Sequence, residues 1–138
     1  MRGARALVSD PPVPLAGVVA NLNLDMVSHA DRELYVAGTH HYPALLPVVQ
    51  SVSPAPAVDL LIGHDTPEPN ASDDWTMSSD HAAFHRADIP FLYFGVEDHP
   101  DYHRATDDVE RLNPAFFEGA VETIRRVIIA LDAAGLSG

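Results

Sequence analysis

Polar and apolar residues alternate strictly through Asn21, Leu22, Asn23, Leu24, Asp25 and Met26, the period of two expected of a strand with one apolar and one polar face. Asp25 therefore falls near the end of a strand. A short strand is predicted at 34–37, and the polar residues 30–33 between the two suggest a hairpin. Residues 43–52 place Leu45, Leu46, Val49 and Val52 at helical spacing, with Pro47 confining or kinking the helix. Residues 58–62 (VDLLI) and 89–96 (IPFLYFGV) are apolar runs of strand length. Between them, 64–75 (HDTPEPNASDDW) is rich in turn formers and predicts a long loop, a length that in a compact domain suggests a functional rim. Ser79 is placed to cap a short helix over 80–87, and 97–108 reads as a polar loop.

The last element carries the strongest signals. Asn113 is the expected cap and Pro114 the first helical residue. Phe117, Val121, Ile124, Ile128 and Leu131 recur at spacings of four and three, and Gly135 ends the helix. At the other end, DPPVPL (10–15) forbids helix and reads as an extended connector that takes in residues 1–15. Strands alternating with helices predict an α/β fold.

Composition narrows the chemistry. The 138 residues include 20 Asp plus Glu against 8 basic residues and no cysteine, for a formal charge of -12. All the basic residues are arginines, so a lysine Schiff base or P-loop is excluded. Any metal has to be held by His, Asp or Glu. The acidic balance argues against nucleic-acid and anionic-membrane partners, which need clustered basic residues. No apolar run has the length of a membrane span and the first residues lack the core of a signal peptide, so the compartment is not readable. No GxSxG string marks a serine nucleophile.

Three places combine chemistry with position: Asp25 at a strand end, Ser79-Asp80-His81 at a helix start, and Tyr102-His103 with Asp107 in a loop after an apolar strand. Ligands of open α/β sheets bind outside the carboxyl ends of strands, so Asp25 and His103 are candidates for one shared site. A carboxylate and an imidazole suit zinc, and Asp107 is spaced to accept the other N–H of His103. Taken singly, a strand-end Asp is more often a turn-former or cap, and a loop His more often a solvated one. His81 and His85 have zincin spacing without the zincin glutamate. His99 and His103 share that spacing on a loop, and His40-His41 reads as a surface dyad.

Three strings, PPVPLAGVVANLNLDMVS, SSDHAAFHRADIPFLYF and DYHRATDDVERL, follow one another in the order of the di-zinc aminopeptidase family, which includes bacterial leucyl aminopeptidases and, more distantly, glutaminyl cyclases. From about Arg5 to the final helix, the chain resembles the C-terminal half of that family. The resemblance implies a three-layer α/β/α fold with a mixed, mostly parallel sheet, N-terminally truncated, with 1–138 forming the C-terminal portion of a single domain. It implies that Asp25 and His103 are ligands of two zinc ions. Asp80, His81, Tyr102 and Asp107 would surround those ligands or line the substrate pocket. The family removes N-terminal residues from peptides with a metal-activated water and a glutamate base, and the acidic rim would suit the substrate's ammonium group.

The family's His-x-Asp string and Glu-Glu pair, expected before PPVPL, are not among these residues. The chain alone is therefore expected to be inactive as a peptidase, with an incomplete zinc site. It is also expected to self-associate or to need the missing segment, because an interior strand would become an edge. Two alternatives stand beside this: a non-catalytic remnant acting as a binding or assembly module, and acyl transfer like that of glutaminyl cyclases.

Overall fold

The computed structural model describes residues 1–55, 57–66 and 73–136. Helix α1 (Arg2–Ser9) precedes strand β1 (Asn21–Leu24) and strand β2 (Glu33–Ala37). Helix α2 (Leu46–Ser51), strand β3 (Asp59–Ile62), helix α3 (His81–His85), strand β4 (Phe91–Gly95) and helix α4 (Pro114–Ala133) follow. Helix α1 corrects the expectation of an extended connector over 1–15, because the prolines that forbid helix begin only at Pro11.

The four strands are ordered β1-β4-β2-β3. The β1/β4 and β2/β3 pairs are parallel and β2/β4 is antiparallel, so the sheet is mixed and mostly parallel. The expected hairpin of the first two strands does not form. Strand β4, whose five residues are all buried, takes the place between them. It is the most apolar strand of the chain and gains most from neighbours on both edges.

Alternation along the strands sends Leu34, Val36, Leu92 and Phe94 to one face, where Val48, Val49, Phe116, Ala120 and Ile124 of α2 and α4 cover them. Ala37, Phe91 and Tyr93 point to the other face, against Tyr42 and Trp75. Helix α3 and α1 pack together beside it through Ala83, Phe84, Ala4 and Val8. Helices thus lie on both faces of the sheet, a three-layer α/β/α arrangement.

Pro47 does not interrupt the second helix. It falls in the first turn of α2, where its missing N–H costs nothing, and a 3-10 turn at Pro43–Leu45 leads in. Helix α4 begins as expected, with Asn113 Oδ1 accepting from the Phe116 N–H at 3.2 Å, and Gly135 ends it at φ 60°. Its buried face is rotated from the expected one. Phe116, Gly119, Ala120, Thr123, Ile124 and Val127 are buried, whereas Phe117, Val121 and Ile128 are 38%, 49% and 49% exposed. At Gly119 the helix comes close to the segment before β3, where an added Cβ would sit 2.7 Å from the Ala57 Cβ. The buried face thus sets the small Gly119 and Ala120 beside the large Phe116, Ile124 and Val127.

Candidate active site

Parallel pairing of β1 with β4 puts the carboxyl ends of these two strands side by side. Asp25 follows β1 and keeps its backbone in the ladder by donating its N–H to the Phe94 carbonyl at 3.1 Å. The next residue, Met26, turns away at φ 60°. The Asp25 side chain is thereby left exposed at the sheet's end.

A chain of hydrogen bonds orients that carboxylate. His81 is 0% exposed and its Nε2–H donates to the Trp75 carbonyl at 2.9 Å, which leaves Nδ1 as an acceptor 3.5 Å from Asn23 Nδ2. The same Asn23 amide donates to Ser79 Oγ at 3.1 Å, and the Ser79 hydroxyl donates to Asp25 Oδ2 at 2.7 Å. Burial pushes the His81 pKa below its ordinary value of 6.5, so the ring is held neutral. Ser79 therefore does not cap a helix as expected. Helix α3 is confined to His81–His85 with no side-chain cap, and the hydroxyl is committed to Asp25.

His103 stands on the loop that leaves β4. Its backbone is left-handed at φ 56°, its side chain is exposed, and its ring stacks on Tyr102 with centroids 3.9 Å apart and planes 21° apart. The turn beneath it is local: the Arg104 N–H donates to the Asp101 carbonyl at 2.9 Å, and Thr106 Oγ1 donates to Asp101 Oδ1 at 2.6 Å. Asp107 lies 3.3 Å from His29 Nε2 through its Oδ1; among the described residues no bond joins it to His103. Asp80 sits at the start of α3, its carboxylate 3.0 Å from the Met1 ammonium. Asp25, Ser79 and His81 are thus brought together by side-chain bonds, and His103 and Tyr102 form a separate pair on the loop after β4.

The remaining histidines divide as their partners dictate. His85 Nδ1 meets the Tyr42 hydroxyl at 2.7 Å and His41 Nε2 meets Thr76 Oγ1 at 2.9 Å, so the His81/His85 spacing does not make a metal pair. Two functional-looking residues had no signal in the sequence. Asn23 looked like the polar face of a strand, yet it joins Ser79 to His81. Asp65, 1% exposed, accepts from the Gly38 and His40 N–H groups at 2.7 and 2.9 Å and fixes the loop after β2. Gly38 is required there, because a Cβ would meet the Phe91 carbonyl oxygen at 2.1 Å. The expected long loop over 64–75 falls partly on 67–72, outside the described residues.

The profile of peptidase family M28 matches residues 1–128. No curated protein matches the chain. Among solved structures, it is similar to a zinc aminopeptidase from Bacillus subtilis, with a TM-score of 0.61 and 20% identity over 99% of this chain and 33% of that one. An aminopeptidase from Aneurinibacillus sp. strain AM-1 is similar with a TM-score of 0.63 and 18% identity, over 99% and 31% of the two chains. The LapA aminopeptidase of Legionella pneumophila is similar with a TM-score of 0.64 and 16% identity, over 99% and 36%. The chain spans about a third of the length of these structures. By the extent of the family match and the fold, the chain belongs to peptidase family M28.

Proposed function

We propose that this chain forms the Asp25 and His103 side of a two-zinc exopeptidase centre that removes N-terminal residues from peptides. The observation that carries the reading is the hydrogen-bonded chain from His81 through Asn23 and Ser79 to Asp25, which fixes an exposed carboxylate at the end of a strand, at the crevice where α/β folds bind ligands. The residues fit zinc: Asp25 offers oxygen and His103 nitrogen, both exposed, and Ser79 engages only one of the two Asp25 oxygens.

When bound, zinc supplies Lewis-acid polarisation of the peptide carbonyl and activation of a water. The chain's own residues set the stage for it. Ser79 holds the Asp25 carboxylate in one rotamer, neutral His81 supports Asn23 from a dry interior, and Tyr102 braces the His103 ring. No residue matches the family's Glu-Glu pair, so the chain alone is proposed to be catalytically silent until a segment carrying that pair and the His-x-Asp string is supplied. The outer edge of β1, which pairs only β4 among the described residues, is the proposed place for such a segment or for a second copy.

Calorimetric titration of the metal-free chain with zinc tests the ligand assignment. Asp25→Ala and His103→Ala are each expected to weaken one zinc-binding event by at least about tenfold while the far-ultraviolet spectrum is unchanged. Wild-type affinity in both variants would overturn it. Peptide hydrolysis by the chain alone would overturn the claim that it is silent.

A further inference from the structure

We propose a second metal site, separate from Asp25 and His103, in which His29, His99 and Asp107 bind a divalent transition-metal ion such as zinc. The three residues come from two loops far apart in sequence. His29 lies between β1 and β2, and His99 and Asp107 lie in the loop after β4. One donor atom from each falls within 4.8 Å of the other two.

Three observations point to a ligand. His29 Nε2 and His99 Nδ1 are both buried and neither has a hydrogen-bond partner, an expensive arrangement unless something accepts their lone pairs. His29 Nε2 and Asp107 Oδ1 are 3.3 Å apart without hydrogen-bond geometry. Zinc holds nitrogen and oxygen at about 2.0–2.2 Å, which puts neighbouring donors of a tetrahedron roughly 3.3–3.6 Å apart. Finally, His29 Nδ1 is 2.7 Å from Ser28 Oγ. A proton on Nδ1 donated to that oxygen leaves Nε2 as a free lone pair, the usual way a ligating histidine has its tautomer fixed.

The imidazoles themselves stack at 4.3 Å, 10° from parallel. The two histidines also line a cleft of about 270 Å³ with Asp101, Arg111 and Asn113, through which an ion can reach them. Three protein donors leave a fourth tetrahedral position open. An ion there would clamp the loop carrying His103 to the loop that follows Asp25.

Zinc chloride titration of the metal-free chain by calorimetry separates this site from the one proposed above. A zinc-binding event is expected to persist in the Asp25→Ala/His103→Ala double variant. His29→Gln and His99→Gln should each weaken that event at least about tenfold, and Asp107→Asn, which keeps an acceptor but removes the charge, should do so as well. In the unaltered chain, substoichiometric zinc is expected to shift the imidazole NMR signals of both His29 and His99, a readout that needs no variant. Loss of all zinc binding in the double variant overturns the second site even if Asp25 and His103 do bind metal. Unmoved His29 and His99 signals at saturating zinc overturn it as well, whatever the first site does.

Discussion

Asp25 and His103 occupy the same end of the sheet but are held there by different means. Asp25 is held by the Ser79 hydroxyl, which is itself tied to Asn23 on β1 and, through Asn23, to the buried His81. His103 is held by a turn of its own neighbours and by the face of Tyr102. One group is fixed through the interior, the other by local conformation. The first kind of support is lost when a distant side chain is removed; the second survives anything that leaves the turn intact. In the proposed site one ligand would therefore be fixed by distant side chains and the other by its own loop.

His81 is the point at which this contrast breaks most sharply. Its ring is fully buried between Asn23 and the Trp75 carbonyl, so His81→Ala leaves a cavity and unpaired groups, with an expected loss on the order of 2–4 kcal/mol in chemical denaturation. Removing the exposed His103 ring should leave the unfolding midpoint nearly unchanged. The two histidines should differ in pH response too. Folding depresses the His81 pKa below 6.5, with burial as the largest cause. The folded state therefore binds fewer protons than the unfolded chain just below that pH. The stabilising contribution of neutral His81 is fully present above about 6.5 and is lost as pH falls toward the depressed value. Unfolding midpoints measured in chelator from pH 7 to pH 5 should fall for the wild type and fall less for His81→Gln. Equal slopes would mean that His81 is not the group responsible.

A smaller change, Ser79→Ala, removes the hydroxyl between Asn23 and Asp25 without emptying the core. The expected stability loss is about 1 kcal/mol, and zinc affinity at Asp25 should fall about tenfold because the carboxylate is no longer oriented. An affinity equal to wild type would show that Asp25 needs no such support, and the contrast with His103 would then have no functional content.

Which of these residues could be read from sequence follows from how each is determined. Asp25 was legible because a period of two locates a strand and its end, and the capping of α4 by Asn113 and Pro114 was legible because caps are local chemistry. The expected hairpin failed because strand order is settled by which strand gains most from two neighbours, and β4 comes 54 residues after the end of β2. The buried stripe of α4 differs from the expected one because apolarity marks Phe117, Val121 and Ile128, while the close contact at Gly119 comes from Ala57, in the segment before β3. Asn23 and Asp65 went unrecognised, and Ser79 was expected to cap a helix, for the same reason: their partners are distant in sequence, and nothing local distinguishes a polar residue that joins two elements from one that faces water. Asp107, expected to serve its neighbour His103, was instead drawn to His29 across the loops.

The smallest effect is expected on the loop side. In Tyr102→Ala the His103 ring loses its stacking surface, a contact on the order of 0.5–1.5 kcal/mol. The turn beneath it remains, because the Arg104-to-Asp101 backbone bond and the Thr106-to-Asp101 bond do not involve the Tyr102 side chain. Part of that contact is retained as contact with water and neighbouring groups, so zinc affinity at His103 should fall only about two- to fivefold, with little movement of the unfolding midpoint. Calorimetry on Tyr102→Ala beside Ser79→Ala gives the ratio directly. A Tyr102 effect as large as the Ser79 effect would mean that the stack, not the turn, positions His103, and that the two walls of the site depend equally on a single side chain.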